Sequence, residues 1–188
     1  MEPPLPPLFL DLDGVLADFN AGVTRVCGAP PDEVRSRMWP KLAAIPAPGF
    51  FAQLTWERGG AELWAFSRPH APHILTGAPM GGWAAPQKEA WCARELGPAV
   101  PVTVCMKKEK AARAAAVLRR PGGGLGGAIL VDDTADAAVL WEAAGGVFVH
   151  HRADSVEDTL RALRARGFGG AGGGGGGGAA SYPSSVKY

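Results

Sequence analysis

Leu8-Phe9-Leu10-Asp11-Leu12-Asp13-Gly14 is a short apolar run that ends in two carboxylates and a glycine. Residues 8–12 are long enough for a buried parallel strand and too short for a helix. Open α/β sheets bind ligands at the carboxyl ends of their strands, so Asp11 and Asp13 are expected to project into a functional crevice. Gly14 allows a sharp turn away from that point. The alternative is an ordinary solvated turn, which the same residue types also favour.

From residue 73 onwards, short apolar runs alternate with helical segments. Including the first run, strands are predicted at residues 8–12, 73–76, 102–105, 128–131 and 147–149. Helices are predicted at residues 87–96, 107–119, 135–144 and 155–166. This alternation predicts an α/β fold, with a Rossmann-like parallel sheet as its core and helices on both faces.

Residues 19–72 contain no comparable strand run and are interpreted as a small helical cap inserted after the first strand. Its helices are predicted at residues 18–27, from 33 to 38 or 44, and at 61–66, with an interruption or kink at Pro40. The expected organisation is a proline-rich leader at 1–7, a core at 8–18 and 73–166, the cap at 19–72, and a glycine-rich flexible tail at 167–188.

The composition argues against several classes of protein. Nineteen basic and eighteen acidic side chains give a formal net charge of +1, so no general attraction to nucleic acid or to a membrane is expected. Three widely spaced cysteines fit neither a disulfide framework nor a metal knuckle and favour a reducing compartment. The chain begins without the basic and apolar regions of a signal peptide and has no membrane-spanning apolar run. A cytoplasmic protein is therefore expected.

Carboxylates follow two of the predicted strands. Asp11 and Asp13 follow the first, and Asp132 and Asp133 follow the run at 128–131. If these strands are parallel neighbours, all four side chains lie at one edge of the sheet, where their mutual repulsion favours a hard divalent cation bound through oxygen. The sequence therefore predicts a Mg²⁺ site.

The second strand run ends in residues suited to a phosphate group. Thr76 offers a hydroxyl, Gly77 offers an unhindered backbone N–H, and Lys88 in the following helix offers a positive charge. Phosphoryl transfer needs a nucleophile, a metal and positive groups around the phosphate oxygens. Asp11 can attack phosphorus and form an aspartyl phosphate, while Asp13 can protonate the leaving oxygen and then accept a proton from water.

Four segments, in order, resemble the motifs of the haloacid dehalogenase (HAD) superfamily of phosphatases, and most closely those of its 5'(3')-deoxyribonucleotidase branch. They are Asp11-Leu12-Asp13-Gly14-Val15-Leu16-Ala17-Asp18-Phe19, Ile74-Leu75-Thr76-Gly77-Ala78-Pro79, Pro86-Gln87-Lys88-Glu89-Ala90-Trp91, and Leu130-Val131-Asp132-Asp133 with the strand that follows it. The resemblance covers residues 8–163. Any one of the motifs is weak evidence alone, whereas the ordered set is specific.

The resemblance implies a role for each of these residues. Asp11 would be the nucleophile and Asp13 the general acid and base. Lys88 would bind the phosphate. Mg²⁺ would be held by Asp11, by the Asp13 carbonyl and by one of Asp132 or Asp133, with Asp133 favoured as the direct ligand. The implied substrate is a small phosphate ester, with a nucleoside monophosphate as the leading candidate.

Aromatic residues of the cap are candidates for an apolar wall that contacts the substrate. They are Phe19, Trp39, Phe50 and Phe51. The alternative is that they form the small core of the cap itself, because aromatic side chains mostly pack. Lys110, in a basic helix start, could reach a distal phosphate or the base of the substrate.

Two positions depart from the pattern of the nucleotidase branch. Gly77 stands where the branch often has a hydroxyl residue, and Thr134 stands where it commonly has arginine. These departures weaken the transfer of nucleotide specificity and leave two alternatives open: a phosphatase acting on another small ester, or a binding module that retains the fold. The residues leave the oligomeric state open, although the branch tends to be dimeric.

Overall fold

The sheet is built around β1 (Leu8–Leu10), which is its central strand. The structure is a computed structural model and describes residues 4–120 and 123–169. Five strands pair in the order β3-β2-β1-β4-β5, and every pair is parallel. The other strands are β2 (His73–Gly77), β3 (Val102–Cys105), β4 (Ile129–Asp132) and β5 (Val147–His150).

β1 ends two residues earlier than predicted. Asp11 still donates its backbone N–H to the Val131 carbonyl at 2.9 Å, but the next residue leaves the ladder. The Leu12 carbonyl accepts from the N–H groups of Leu16 and Ala17, at 2.9 and 2.8 Å, instead of from a neighbouring strand. This local turn lies directly beyond the strand and carries Asp13.

Both faces of the sheet are covered by helices, as predicted. Successive side chains of a strand point to opposite faces. Leu8 and Leu10 belong to a core that includes Trp91, whereas Phe9 belongs to a second core with Trp141. The α/β fold with a Rossmann-like parallel sheet is therefore confirmed.

Eight α-helices occur within the described residues. They are α1 (Phe19–Cys27), α2 (Pro31–Val34), α3 (Met38–Ala43), α4 (Gly60–Ser67), α5 (Ala84–Glu95), α6 (Lys110–Leu118), α7 (Asp136–Ala143) and α8 (Val156–Arg164). No helix in this part of the chain combines the length and the apolar character that crossing a bilayer requires.

Helices α1 to α4 follow β1, as expected of an inserted cap. The predicted interruption at Pro40 is wrong: the chain breaks at the 3₁₀ turn Arg35–Arg37, and Pro40 lies in the first turn of α3. A proline is tolerated there because the first N–H groups of a helix need no partner within it. Of the predicted leader and tail, residues 1–3 and 170–188 lie outside the described residues.

Residues 49–56 of the cap, which lie between α3 and α4, are attached to α5. Four side-chain hydrogen bonds join the two segments. They run from the Phe51 N–H to Gln87 Oε1 at 3.0 Å, from Trp91 Nε1 to the Leu54 carbonyl at 2.8 Å, from Arg94 to the Ala52 carbonyl at 2.6 Å, and from Trp56 Nε1 to Glu95 Oε2 at 2.8 Å. Because these bonds use successive turns of α5, this segment is fixed to the core of the protein.

Candidate functional site

Three carboxylates converge at the carboxyl ends of β1 and β4. One oxygen each from Asp11, Asp132 and Asp133 lies within 4.8 Å of the others. β1 and β4 are hydrogen-bonded neighbours, so the short sequence after each strand reaches the same edge of the sheet. A cleft of about 400 Å³ opens there, and Asp13 also lines it.

The acidic cluster is paired with Lys110, the first residue of α6. Its Nζ lies 2.6 Å from Asp132 Oδ2 and 3.0 Å from Asp11 Oδ1, and the side chain is buried. Burial opposes the positive charge, but the nearby charges of Asp11 and Asp132 outweigh it and raise the pKa of Lys110. Sequence analysis placed Lys110 among the distal substrate contacts, whereas the structure places its ammonium group against the carboxylates.

Lys88, which was predicted to bind the phosphate, contacts Asp13 and Thr76. It is fully buried, and its Nζ donates to Asp13 Oδ2 at 2.6 Å and to Thr76 Oγ1 at 3.0 Å. Neither Lys88 nor Thr76 lines the cleft, although Gly77 does. The structure therefore brings Lys88 and Thr76 to Asp13, and of the three residues predicted to bind phosphate only Gly77 lines the cleft.

The pKa of Asp13 is subject to opposing influences. Burial raises its pKa above the usual value for aspartate, and the Coulombic effect of Lys88 opposes that rise. The charge of Asp11 adds to the increase. A carboxyl group with a raised pKa holds a proton more readily, which is the property that a general acid requires.

Asp132 and Asp133 are adjacent in sequence but differ in their partners. Asp132 uses both oxygens, since Oδ2 accepts from Lys110 and Oδ1 accepts from the Thr134 N–H at 2.8 Å. Asp133 is exposed; its Oδ1 accepts from Thr134 Oγ1 at 3.1 Å, and its Oδ2 faces Gly14. Desolvation in the cleft, followed by the charges of Asp11 and Asp132, raises the pKa of Asp133 to about 6. Asp133 therefore keeps an oxygen available for a ligand.

These residues fit a magnesium ion. The cluster offers only carboxylate oxygens, which are the ligands that a hard divalent cation prefers. Oδ1 of Asp11 and Oδ1 of Asp13 are buried and receive no hydrogen bond from the described residues. The ammonium group of Lys110 lies 3.0 Å from Asp11 Oδ1 as an ion-pair partner. Buried oxygens without donors are costly unless a cation or water binds them.

The predicted aromatic wall divides into two pairs. Phe19 and Trp39 line the cleft. Phe50 and Phe51 are buried in the core that also contains Leu10, and they do not line the cleft. Phe51 supports the wall from behind, because its ring is stacked on that of Phe19 with centroids 6.1 Å apart.

Sequence analysis missed two cleft residues, Asn20 and Lys107. Asn20 lies in the first turn of α1, and Lys107 follows β3 by two residues. Ligands bind at the carboxyl ends of parallel strands, so the position of Lys107 just beyond β3 is the signal that identifies it.

Comparison of the sequence with models of protein families finds no match, and comparison with curated proteins finds none either. The structure is similar to that of a hydrolase from Streptococcus pneumoniae TIGR4, with a TM-score of 0.52 and 10% identity, covering 84% of this chain and 98% of that one. It is also similar to a haloacid dehalogenase-like family hydrolase from Streptococcus pneumoniae, with a TM-score of 0.53 and 13% identity, covering 86% of this chain and 98% of that one. At 10% and 13% identity these similarities concern the fold alone and give no support for the nucleotidase branch. They show that the chain has the fold of the haloacid dehalogenase-like hydrolases.

Proposed function

We propose that this protein is a Mg²⁺-dependent phosphomonoesterase that forms an aspartyl phosphate on Asp11. The observation that carries the proposal is the convergence of Asp11, Asp132 and Asp133 beside Lys110, with Asp13 in the same cleft. This arrangement supplies a nucleophile, an acid, a cation site and a positive side chain within one small space.

The proposed reaction has two steps. In the first, a carboxylate oxygen of Asp11 attacks phosphorus, the bond from phosphorus to the ester oxygen breaks, and Asp13 transfers its proton to the leaving alcohol. In the second, water attacks the phosphorus of the aspartyl phosphate and Asp13 accepts a proton from it. The bond from phosphorus to the Asp11 oxygen breaks, inorganic phosphate leaves, and Asp11 returns as a carboxylate and Asp13 as the protonated acid.

The ligands proposed for magnesium are Asp11, the Asp13 carbonyl and Asp133. When bound, the ion would neutralise charge on the phosphate oxygens and reduce repulsion from the nucleophile. Asp133 is favoured over Asp132 as the direct ligand because both oxygens of Asp132 already accept hydrogen bonds.

In this proposal Lys110, and not Lys88, is the lysine that faces the phosphate. Lys110 lines the cleft and lies 3.0 Å from Asp11, so its charge lies next to the proposed nucleophile. Gly77 and Lys107 add a backbone N–H and a second cation at the same opening.

A nucleoside monophosphate is the leading substrate within this proposal. Phe19 and Trp39 provide an aromatic surface beside the carboxylates, and a cleft of about 400 Å³ is within the usual size range for small-molecule sites. A planar base can stack on such side chains, while a sugar phosphate would leave them without an apolar partner.

A panel of phosphate esters, assayed with and without Mg²⁺, tests the proposal. The panel contains nucleoside monophosphates, sugar phosphates and small phosphorylated acids. We expect Mg²⁺-dependent release of phosphate, loss of at least a thousandfold in kcat for Asp11→Asn, and a beryllium fluoride adduct on Asp11 in a crystal. Turnover of Asp11→Asn at the wild-type rate would exclude Asp11 as the nucleophile. Mg²⁺ binding without turnover of any ester would indicate a binding module.

A further inference from the structure

The ammonium group of Lys88 contacts partners inside the protein. An ammonium group carries three N–H donors. In Lys88 one donates to Asp13 Oδ2 and another to Thr76 Oγ1, while Nζ also lies 4.4 Å from the centroid of the Phe51 ring. Two of the three N–H groups therefore have hydrogen-bond acceptors inside the protein, and the whole side chain is fully buried.

Lys88 is also the side chain that holds Asp13. Among the described residues, no other side chain donates a hydrogen bond to the Asp13 carboxyl, and its Oδ1 receives none. Without Lys88, the carboxyl could rotate about its side-chain bonds. Lys88 itself is fixed by α5, which the hydrogen bonds of Gln87 and Trp91 attach to the cap.

We infer that Lys88 is a positioning residue that orients Asp13 toward the leaving oxygen, and that it does not bind the phosphate of the substrate. This inference rests on the proposed function, because it assigns the orientation of the group that protonates the leaving alcohol. The two buried lysines therefore have different roles. Lys110 contacts the proposed nucleophile and the carboxylates of the metal site, whereas Lys88 contacts the proposed general acid.

The dependence of the rate on the leaving group tests this division. An alkyl phosphate needs a proton on its leaving oxygen, whereas p-nitrophenyl phosphate releases a stable anion and needs less assistance. We expect Lys88→Met to lower kcat for an alkyl phosphate by about 100- to 1000-fold, and to lower kcat for p-nitrophenyl phosphate at least ten times less. The matched control, Lys110→Met, should lower kcat for both esters by similar factors. Equal losses for both esters in Lys88→Met would overturn the inference.

Thr76→Val provides a second test in case Lys88→Met does not fold. This substitution removes one hydrogen-bond acceptor of Lys88 and retains the charge of the lysine. We therefore expect a smaller fall in kcat than in Lys88→Met, again larger for the alkyl phosphate than for p-nitrophenyl phosphate. An unbiased loss would contradict the positioning role. Wild-type protein that hydrolyses no ester of the panel would overturn the proposed function itself, whereas an active wild type with unbiased variants would overturn the inference about Lys88 alone.

Discussion

Nζ of Lys110 lies 2.6 Å from Oδ2 of Asp132, and this contact separates the tasks of two adjacent aspartates. Asp132 is buried, and its second oxygen accepts the backbone N–H of Thr134. Asp133, the next residue, is exposed to the cleft. One carboxylate therefore holds the lysine in place, while the other is available to a ligand.

Asparagine substitutions should distinguish the two aspartates. Asp133→Asn should weaken Mg²⁺ binding at least tenfold with little effect on the free energy of unfolding, because it removes a charged ligand at an exposed position. Asp132→Asn should lower the free energy of unfolding by about 1–3 kcal/mol, because a buried lysine loses a charged partner. Calorimetric titration with Mg²⁺ and urea unfolding measure the two quantities. The reverse pattern would show that Asp132 is the direct ligand.

Gly14 should be necessary for the position of the Asp133 carboxylate. Its φ is +72°, and a Cβ at this position would collide with the Asp133 side chain. Gly14→Ala should therefore weaken Mg²⁺ binding in addition to a cost of about 1 kcal/mol for the left-handed backbone. Gly28→Ala is the matched control, because Gly28 has a φ of +77° and no atom within 4 Å of the added Cβ. Equal Mg²⁺ affinity in both variants would refute the proposed contact.

Trp39 should determine affinity for the organic part of the substrate. We expect Trp39→Ala to raise KM for a nucleoside monophosphate about tenfold and to change kcat by less than about threefold, because an aromatic contact far from the reacting bond contributes mainly to binding. Phe50→Leu is the control: this buried residue does not line the cleft, so the substitution should lower the free energy of unfolding by about 1 kcal/mol and leave KM unchanged. Steady-state kinetics with a nucleotide and with a small sugar phosphate will test this, since only the nucleotide should be affected.

His151 should make the folded state sensitive to acid. Its ring is buried against Thr159 with Nδ1 2.9 Å from Oγ1, and burial, assisted by the charge of His150, lowers the pKa of His151 to about 4. The unfolded chain binds this proton near the ordinary value, so between pH 6.5 and 4 the unfolded state holds more protons than the folded state. The free energy of unfolding should therefore fall by about 2 kcal/mol between pH 7 and pH 5 from this group alone.

Urea unfolding at several pH values measures this contribution. The free energy of unfolding is plotted against pH for wild type and for His151→Gln. The difference between the two slopes separates the contribution of His151 from the titration of the carboxylates. His150→Gln, at an exposed neighbouring position, is the control and should retain most of the wild-type slope. A slope unchanged by His151→Gln would show that the buried histidine is not the source.

Sequence reasoning was most successful where short-range patterns determine the outcome. The apolar runs predicted all five strands to within two residues, because buried parallel strands are continuous and apolar. The meeting of Asp11 with Asp132 and Asp133 followed from the same runs, since parallel neighbours bring their carboxyl ends together.

The positions of the two lysines could not be predicted in the same way. A lysine side chain is long, and its ammonium position depends on how the helix that carries it packs against the sheet. Lys88 and Lys110 both start from helices near the cleft, but their partners are decided by the placement of α5 and α6. The break falls at the exposed residues Arg35–Arg37, and Pro40 does not interrupt α3 because it lies in the first turn of that helix.

The attachment of residues 49–56 to α5 has a consequence for how new specificities can arise on this scaffold. The segment that is tied down contributes Phe51 to the support of Lys88, whereas Trp39 belongs to the short exposed helices that precede it. Changes accumulated in residues 28–48 would reshape the entrance while the reacting groups keep their spacing. Laboratory evolution toward a different ester should therefore concentrate its successful substitutions in that stretch and spare α5.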